Sequence, residues 1–293
     1  RYSNYIIALA YGASSFSNAT FFFGGSWLDG CWAFAFGIVT YLSGVLCGQI
    51  EGLSEIEFFV TSTSVTVLTT FLDKYVYDGW LCVYAVLFGG IAWLLPGLTI
   101  TVALLEMYSK MITYGSSRLI HGVTQATQLG FGFAIGCSLV RADSSIPESF
   151  ETGCSSHVPQ SLSIVLLPVL SLSYGIMLNA DLNQLPGMVL TTVTGQFAKQ
   201  MFLSEHTLPT DNAVQLIGAM VITAVARIYA STMGNQRPYI YIVAGLLTLV
   251  PGGLGVRGMS NMYTGDIASG MEFTFQMVMI GVCLAIGVFI ASL

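Results

Sequence analysis

Apolar residues in this chain run in long continuous stretches, without the alternation of a half-buried strand. Runs of about 20 residues are what a helix needs to cross a bilayer, whereas the strands of a membrane barrel alternate with period two. Ten runs can be read, at about 3–23, 29–48, 55–72, 79–96, 115–140, 159–180, 183–203, 211–232, 237–252 and 272–293. Several hold many Gly, Ser and Thr, which let membrane helices pack closely. The pattern predicts an all-α polytopic membrane protein with ten transmembrane helices. The first run lacks a basic segment ahead of it and a cleavage site behind it, so it reads as a span, not a signal peptide. The chain begins at Arg1 without Met, and a trimmed N-terminus is expected.

The pattern also repeats. Shifted by 155 residues, Leu94–Gly136 aligns without gaps on Leu249–Ala291, with 11 of 43 positions identical. The matches fall on residues with backbone or polar meaning. Pro96-Gly97 meets Pro251-Gly252, Met107-Tyr108 meets Met262-Tyr263, Gly115 meets Gly270 and Gly132 meets Gly287. Upstream, Tyr84 and Gly90 meet Tyr239 and Gly245. The longest polar stretch, RADSSIPESFETGCSSHV at 141–158, is the natural connector. It separates a first five-span repeat, 1–140, from a second, 159–293. An odd number of spans turns the second half over relative to the first, the inverted-repeat design of many secondary transporters.

Composition sharpens this picture. Hydrophobic residues make up 54 % and charged residues 8 %, too few to cover a soluble surface of 293 residues. The net charge is −6 with no basic patch, which excludes a nucleic-acid partner. Lys and Arg are too evenly spread to set an orientation. Cys31, Cys47, Cys82 and Cys283 lie in apolar runs as small packing residues, while Cys137 and Cys154 could pair if the connector faces an oxidising space. No Cys or His spacing suggests a metal, and no cofactor is expected. No phosphate-binding loop, serine-hydrolase or zinc-protease motif is present, so the chain does not read as an enzyme.

The candidate chemistry lies where the fourth span of each half ends at Pro-Gly. Pro and Gly break a helix, and broken helices at membrane depth mark transporter sites because their free backbone groups bind ions and carboxylates. Residues 98–118 follow the first break and carry Thr99, Thr101, Glu106, Tyr108, Ser109, Lys110 and Arg118. Residues 253–272 follow the second and carry Arg257, Asn261, Tyr263, Thr264, Asp266 and Glu272. Glu106 and Lys110 are four apart, one face of a helix, and could titrate or grip substrate; the alternative is a solvated ion pair on an interfacial helix. Arg257 could hold a carboxylate bidentately or reach the lipid headgroups. Asp266 could carry a proton or simply start a helix. Glu106 aligns with Asn261 and Lys110 with Gly265, so the halves are not equivalent. Asn18, Thr20, Thr61, Thr63, Gln125, Gln128, Gln196 and Lys199 could also line a cavity, although interhelical hydrogen bonding is their commoner role. Arg227 reads as snorkelling, His121 as structural, Asp181 as a turn residue, and Glu51, Glu55 and Glu57 as a solvated face.

At these segments the chain resembles the threonine/serine exporter family, and within it the eukaryotic branch that includes the fungal pheromone-regulated membrane proteins. The resemblance rests on PGLTITVALLEMYSKMITYGSSRLIHG, LLTLVPGGLGVRGMSNM and FFFGGSWLDGCWAFAFG, and it extends over nearly the whole chain. It implies two five-span halves and export of threonine and serine coupled to protons. Relatives with split halves are associated with dicarboxylates. Pro96, Gly97, Glu106, Gly115, Arg118, Pro251, Gly252, Arg257 and Gly258 match the family motifs as they stand. The expected site joins Arg257 and the helix ends to a carboxylate, and Glu106 or Asp266 to an ammonium or the coupling proton. Tyr108, Ser109, Tyr263 and Thr264 supply neutral hydrogen bonds. Expected partners are the small solute, protons and the lipid bilayer, with room for a homo-oligomer or membrane complex. The membrane is a eukaryotic plasma membrane, vacuole or other endomembrane. Rival readings are a dicarboxylate exporter, a channel and a non-transporting membrane subunit.

Overall fold

A computed structural model describes residues 2–140, 154, 158–159, 162–204, 211–233, 237–250, 252–263 and 267–292. Twelve α-helices, and no strand, occur among the described residues. They are α1 (Asn4–Ser17), α2 (Trp27–Cys47), α3 (Glu57–Tyr75), α4 (Val83–Gly90), α5 (Gly97–Tyr108) and α6 (Ile112–Val140). After the connector come α7 (Ser163–Met177), α8 (Leu185–Ser204), α9 (Asp211–Thr232), α10 (Tyr239–Leu249), α11 (Gly252–Tyr263) and α12 (Ile267–Ser292).

Four helices are long and apolar enough to cross a membrane: Trp27–Cys47, Ile112–Val140, Asn212–Thr232 and Ile267–Ser292. Two bent pairs raise this to six. Val83–Gly90 meets Ala92–Tyr108 at 63°, and Tyr239–Leu249 meets Gly253–Tyr263 at 48°. The protein is thus an all-helical membrane protein with four to six candidate spans among its described residues, against the ten read from sequence. Part of the shortfall is length, since α1 has 14 residues and α7 has 15, and part is polarity. In α3, Ser62, Thr63, Thr66 and Thr69 interrupt the apolar run, and each hydroxyl donates to a carbonyl three or four residues back in its own helix. Such self-bonding lowers the cost of a hydroxyl away from water while leaving the helix only moderately apolar. Outward-facing Leu139, Ile164 and Phe275 are 69, 78 and 66 % exposed, as side chains against lipid would be.

The packing repeats with the sequence. α5 and α11 have the same bounds after a shift of 155 residues, and α6 and α12 begin at matching isoleucines. α3 packs on α6 and α9 on α12; α2 packs on α4 and α8 on α10. Gly115 faces Met107 and the Ala103 carbonyl, and Gly270 faces Met262 and the Gly258 carbonyl, the same neighbours one repeat on. The two largest apolar clusters each include the short helix before a break: Phe88 and Leu87 in one, Tyr241 and Leu246 in the other. Contacts between the two sets are also reciprocal: α1 with α7, α5 with α12, and α11 with α6.

Three expectations need correction. The run 79–96 is not one span ending at Pro-Gly. α4 stops at Gly90, and Pro96-Gly97 opens α5, where a residue without an N–H costs nothing. Second, Glu106 and Lys110 do not share a helix face, because α5 ends at Tyr108 and Lys110 has φ 65°, outside the helix. Third, Cys154 is bonded to Cys82 at the start of α4, whereas Cys137 is buried on α6. The N–H of Cys82 donates to Oδ1 of buried Asp29 (3.0 Å), whose Oδ2 accepts from the Ser26 N–H (2.7 Å) in the capping box of α2.

Candidate functional site

A short helix that stops inside a membrane protein leaves carbonyls without partners. Here side chains from neighbouring helices take them. Thr40 Oγ1 donates to the Gly90 carbonyl (2.9 Å) and Gln125 Nε2 to the Leu94 carbonyl (2.8 Å). At the second break Gln196 Nε2 donates to the Thr248 carbonyl (2.7 Å). A gap lies between the two breaks.

The gap is a cavity of about 500 Å³, and its wall contains both breaks. Pairs of wall residues are related by the repeat: Ala92 with Leu247, Leu95 with Val250, and Thr99 with Leu254. α5 and α11 therefore present their first turns, Gly97–Thr99 and Gly253–Leu254, to one space. Helix N-termini carry partial positive charge and unpaired N–H groups, which favours an anionic ligand group. Lys199 of α8 also lines the cavity, while no Asp or Glu does among the described wall residues. Gln125 of α6 and Gln215 of α9 also border the cavity, and the side-chain carbonyl oxygen of each is buried with no hydrogen-bond partner among the described residues. Asn18 Nδ2 donates to the Tyr174 hydroxyl (3.0 Å), and both side chains face the cavity.

The residues expected to form the site separate. Gly97 and Thr99 line the cavity. Thr101 is buried in α5, with its hydroxyl donating to the Gly97 carbonyl (3.0 Å). Pro96 stands at the head of α5. Glu106 lies at the other end of α5, paired with Arg118 (3.0 Å), not with Lys110. Tyr108, Ser109 and Lys110 are exposed in the turn toward α6. Gly115 and Gly258 are close-packing positions; Gly252 opens α11. Arg257 lies over the rings of Tyr84 (5.5 Å) and Phe273 (4.7 Å), and Tyr84 is itself in the cavity wall, so Arg257 stands one layer behind it. Asn261 is half-buried on α11, and Tyr263 packs on Phe131 with ring centroids 5.0 Å apart. Pro251, Thr264 and Asp266 lie outside the described residues.

Of the polar residues set aside as interhelical bonds, Asn18, Gln125 and Lys199 face the cavity. Gln196 does bridge helices, and Gln128 donates to the Glu55 carbonyl (3.1 Å). Tyr174 and Gln215 were not singled out. Arg227 does not snorkel: it donates to the Ala291 carbonyl (3.1 Å) and to that of Ser292, closing α12. Lys74 does the same for α6 at the Val140 carbonyl (3.1 Å). His121 is exposed beside Phe58, and Asp181 is exposed in a turn with Gln184.

A family model described as "Putative threonine/serine exporter" matches residues 1–140 and 154–293. Pheromone-regulated membrane protein 10 of Debaryomyces hansenii is 25 % identical over the whole chain, which covers 31 % of that relative. The protein of the same name from Kluyveromyces lactis is 24 % identical over the whole chain, with 32 % of the relative covered. The one from Saccharomyces cerevisiae is 22 % identical over the whole chain, with 80 % covered. The chain thus spans about a third of the length of the first two relatives. No solved structure matches. With its family model matched in both halves, the chain belongs to the threonine/serine exporter family.

Proposed function

We propose that the chain is the transport core of a secondary exporter for threonine, serine or a similarly small amino acid, working by alternating access. In this reading residues 1–140 and 159–293 are two inverted halves of five crossings each, joined by the polar connector. Exchange of conformation between the halves opens the central cavity to one side and then the other. The reciprocal contacts of α5 with α12 and of α11 with α6 support this reading, since such a pair of interfaces can trade geometries. The observation that carries the proposal is the cavity between the two breaks. Its volume of about 500 Å³ suits a small solute, and its wall combines two helix N-termini with polar side chains and no acid among the described wall residues. Coupling to protons is assigned to Glu106, the carboxylate paired with Arg118.

Counterflow in proteoliposomes preloaded with threonine tests the proposal. Accumulation of trace threonine, inhibited by serine and altered by an imposed pH gradient, is the expected result. No exchange of threonine or serine contradicts it. A second reading, dicarboxylate export, is favoured by the lack of any acid among the described wall residues, and it predicts exchange of succinate instead.

A further inference from the structure

The chain leaves α1 through a π-helical turn, Asn18–Phe22, in which the Phe23 N–H donates to the Asn18 carbonyl (3.1 Å). Such turns are rare and occur frequently at functional sites. The turn is followed by Gly24, whose φ of 68° favours glycine, and by Gly25, whose N–H donates to the Ala19 carbonyl (2.9 Å). A change of helix type on one side and a glycine pair on the other give this segment two places where a displacement can be absorbed.

Two cavities touch the segment. Asn18, Phe22 and Phe23 line the central cavity, whereas Thr20, Phe21 and Gly24 line a second one of about 290 Å³. α8 divides the same spaces with consecutive residues: Lys199 borders the central cavity and Gln200 the second. No described residue lines both. The two spaces are thus separated by single segments of chain, and a helix with its side chains is only about 10–12 Å across. Val158, Pro159 and Leu166 complete the described wall of the second cavity. Val158 is four residues beyond Cys154, so this cavity lies toward the part of the molecule that the Cys82–Cys154 bond ties together. Its described wall carries no charged side chain, which suits passage of a solute rather than tight holding.

The partition also rests on the first break. α4, which ends there, packs against the turn so closely that a Cβ added at Gly89 would lie 2.6 Å from the Ala19 Cβ. One added at Gly25 would lie 2.8 Å from the Ala85 Cβ. Close-packed elements transmit strain, so a shift of α4 is felt by the turn.

We infer that the second cavity is the vestibule through which solute passes between the central cavity and the disulfide-bonded face, and that the segment Asn18–Gly24 is the gate between them. Phe21 faces the vestibule and Phe22 the central cavity, as the two sides of that gate. This inference rests on the reading of the central cavity as the transport site.

The test uses the full chain in proteoliposomes. Gln200→Cys is treated with a charged thiol reagent on both sides of the membrane, and its threonine exchange is compared with that of the unsubstituted protein treated identically. Modification should lower exchange by about tenfold in the variant relative to the unsubstituted protein. Val158→Cys, in the same wall but not beside a residue of the central cavity, should behave alike. Phe21→Ala, which thins the gate, should raise efflux of preloaded threonine into threonine-free medium by about threefold relative to exchange. That ratio does not depend on how much of the variant is folded. If either modified cysteine variant exchanges threonine at its original rate, the vestibule is overturned; an unchanged ratio in Phe21→Ala overturns the gate. Absence of threonine exchange in the unsubstituted protein would instead overturn the transport reading itself.

Discussion

Two cations on α8 and α11 show how setting decides a residue's role. Lys199 reaches the cavity wall, whereas the Arg257 guanidinium is flanked by Tyr84 and Phe273 at cation–π distance. A planar guanidinium stacks where an ammonium does not. Arg257→Lys should therefore destabilise the protein by about 0.5–2 kcal/mol, read as a lower unfolding temperature in detergent. An unchanged unfolding temperature would show that the ring contacts do not hold this part of α11. Glu106 and Arg118 form a pair whose basic member is 48 % exposed, so its net contribution to stability is only about 0–1 kcal/mol. Glu106→Gln should accordingly fold normally yet lose the response of exchange to a pH gradient. An unchanged response would remove Glu106 from coupling. Neither role is readable from spacing alone. Lys199 sits among Thr, Gln and Phe on its own helix, and the space it faces is built by other elements.

At the scale of elements, the two helical hairpins are near copies. A Cβ added at Gly115 would lie 2.7 Å from the Ala103 carbonyl oxygen, and one at Gly270 would lie 2.8 Å from that of Gly258. Both obstacles are backbone, which cannot swing aside. Gly115→Ala and Gly270→Ala should each cost about 1–3 kcal/mol, with similar losses in unfolding temperature. A loss at only one of them would contradict equivalent packing of the hairpins. This equivalence was legible in the sequence, because Met107, Gly115, Met262 and Gly270 recur at one fixed spacing. The end of α4 was not. Residues 79–96 read as one apolar run, and the stop at Gly90 shows in the bonds its carbonyl accepts from Thr40 (2.9 Å) and Ser15 (3.5 Å), on helices far away in sequence. Thr40→Val should remove about 0.6–1.7 kcal/mol of stability and speed hydrogen exchange at the break. Unchanged exchange there would show that the bond does not hold the break. The same non-local logic hid the partner of Cys154, since Cys82 lies in an apolar run that reads as packing.

Across the whole molecule, the Cys82–Cys154 bond ties the segment after α6 to the start of α4. Disulfides persist in oxidising spaces, so that face of the molecule should look outward or into a lumen. Mass-tagging of thiols in intact membranes should label neither cysteine until a reductant is added, and Cys82→Ser should free Cys154 for labelling. Labelling of unreduced Cys82 would contradict this placement. The larger claim is that solute passes through the space between the two breaks. Thr99 lines that space in the first turn of α5. The most direct test is to modify Thr99→Cys with a charged thiol reagent during threonine counterflow, alongside the unsubstituted protein treated identically. The account predicts that modification stops exchange in the variant alone and that threonine slows the modification. A fully modified variant that exchanges threonine at its original rate would contradict it.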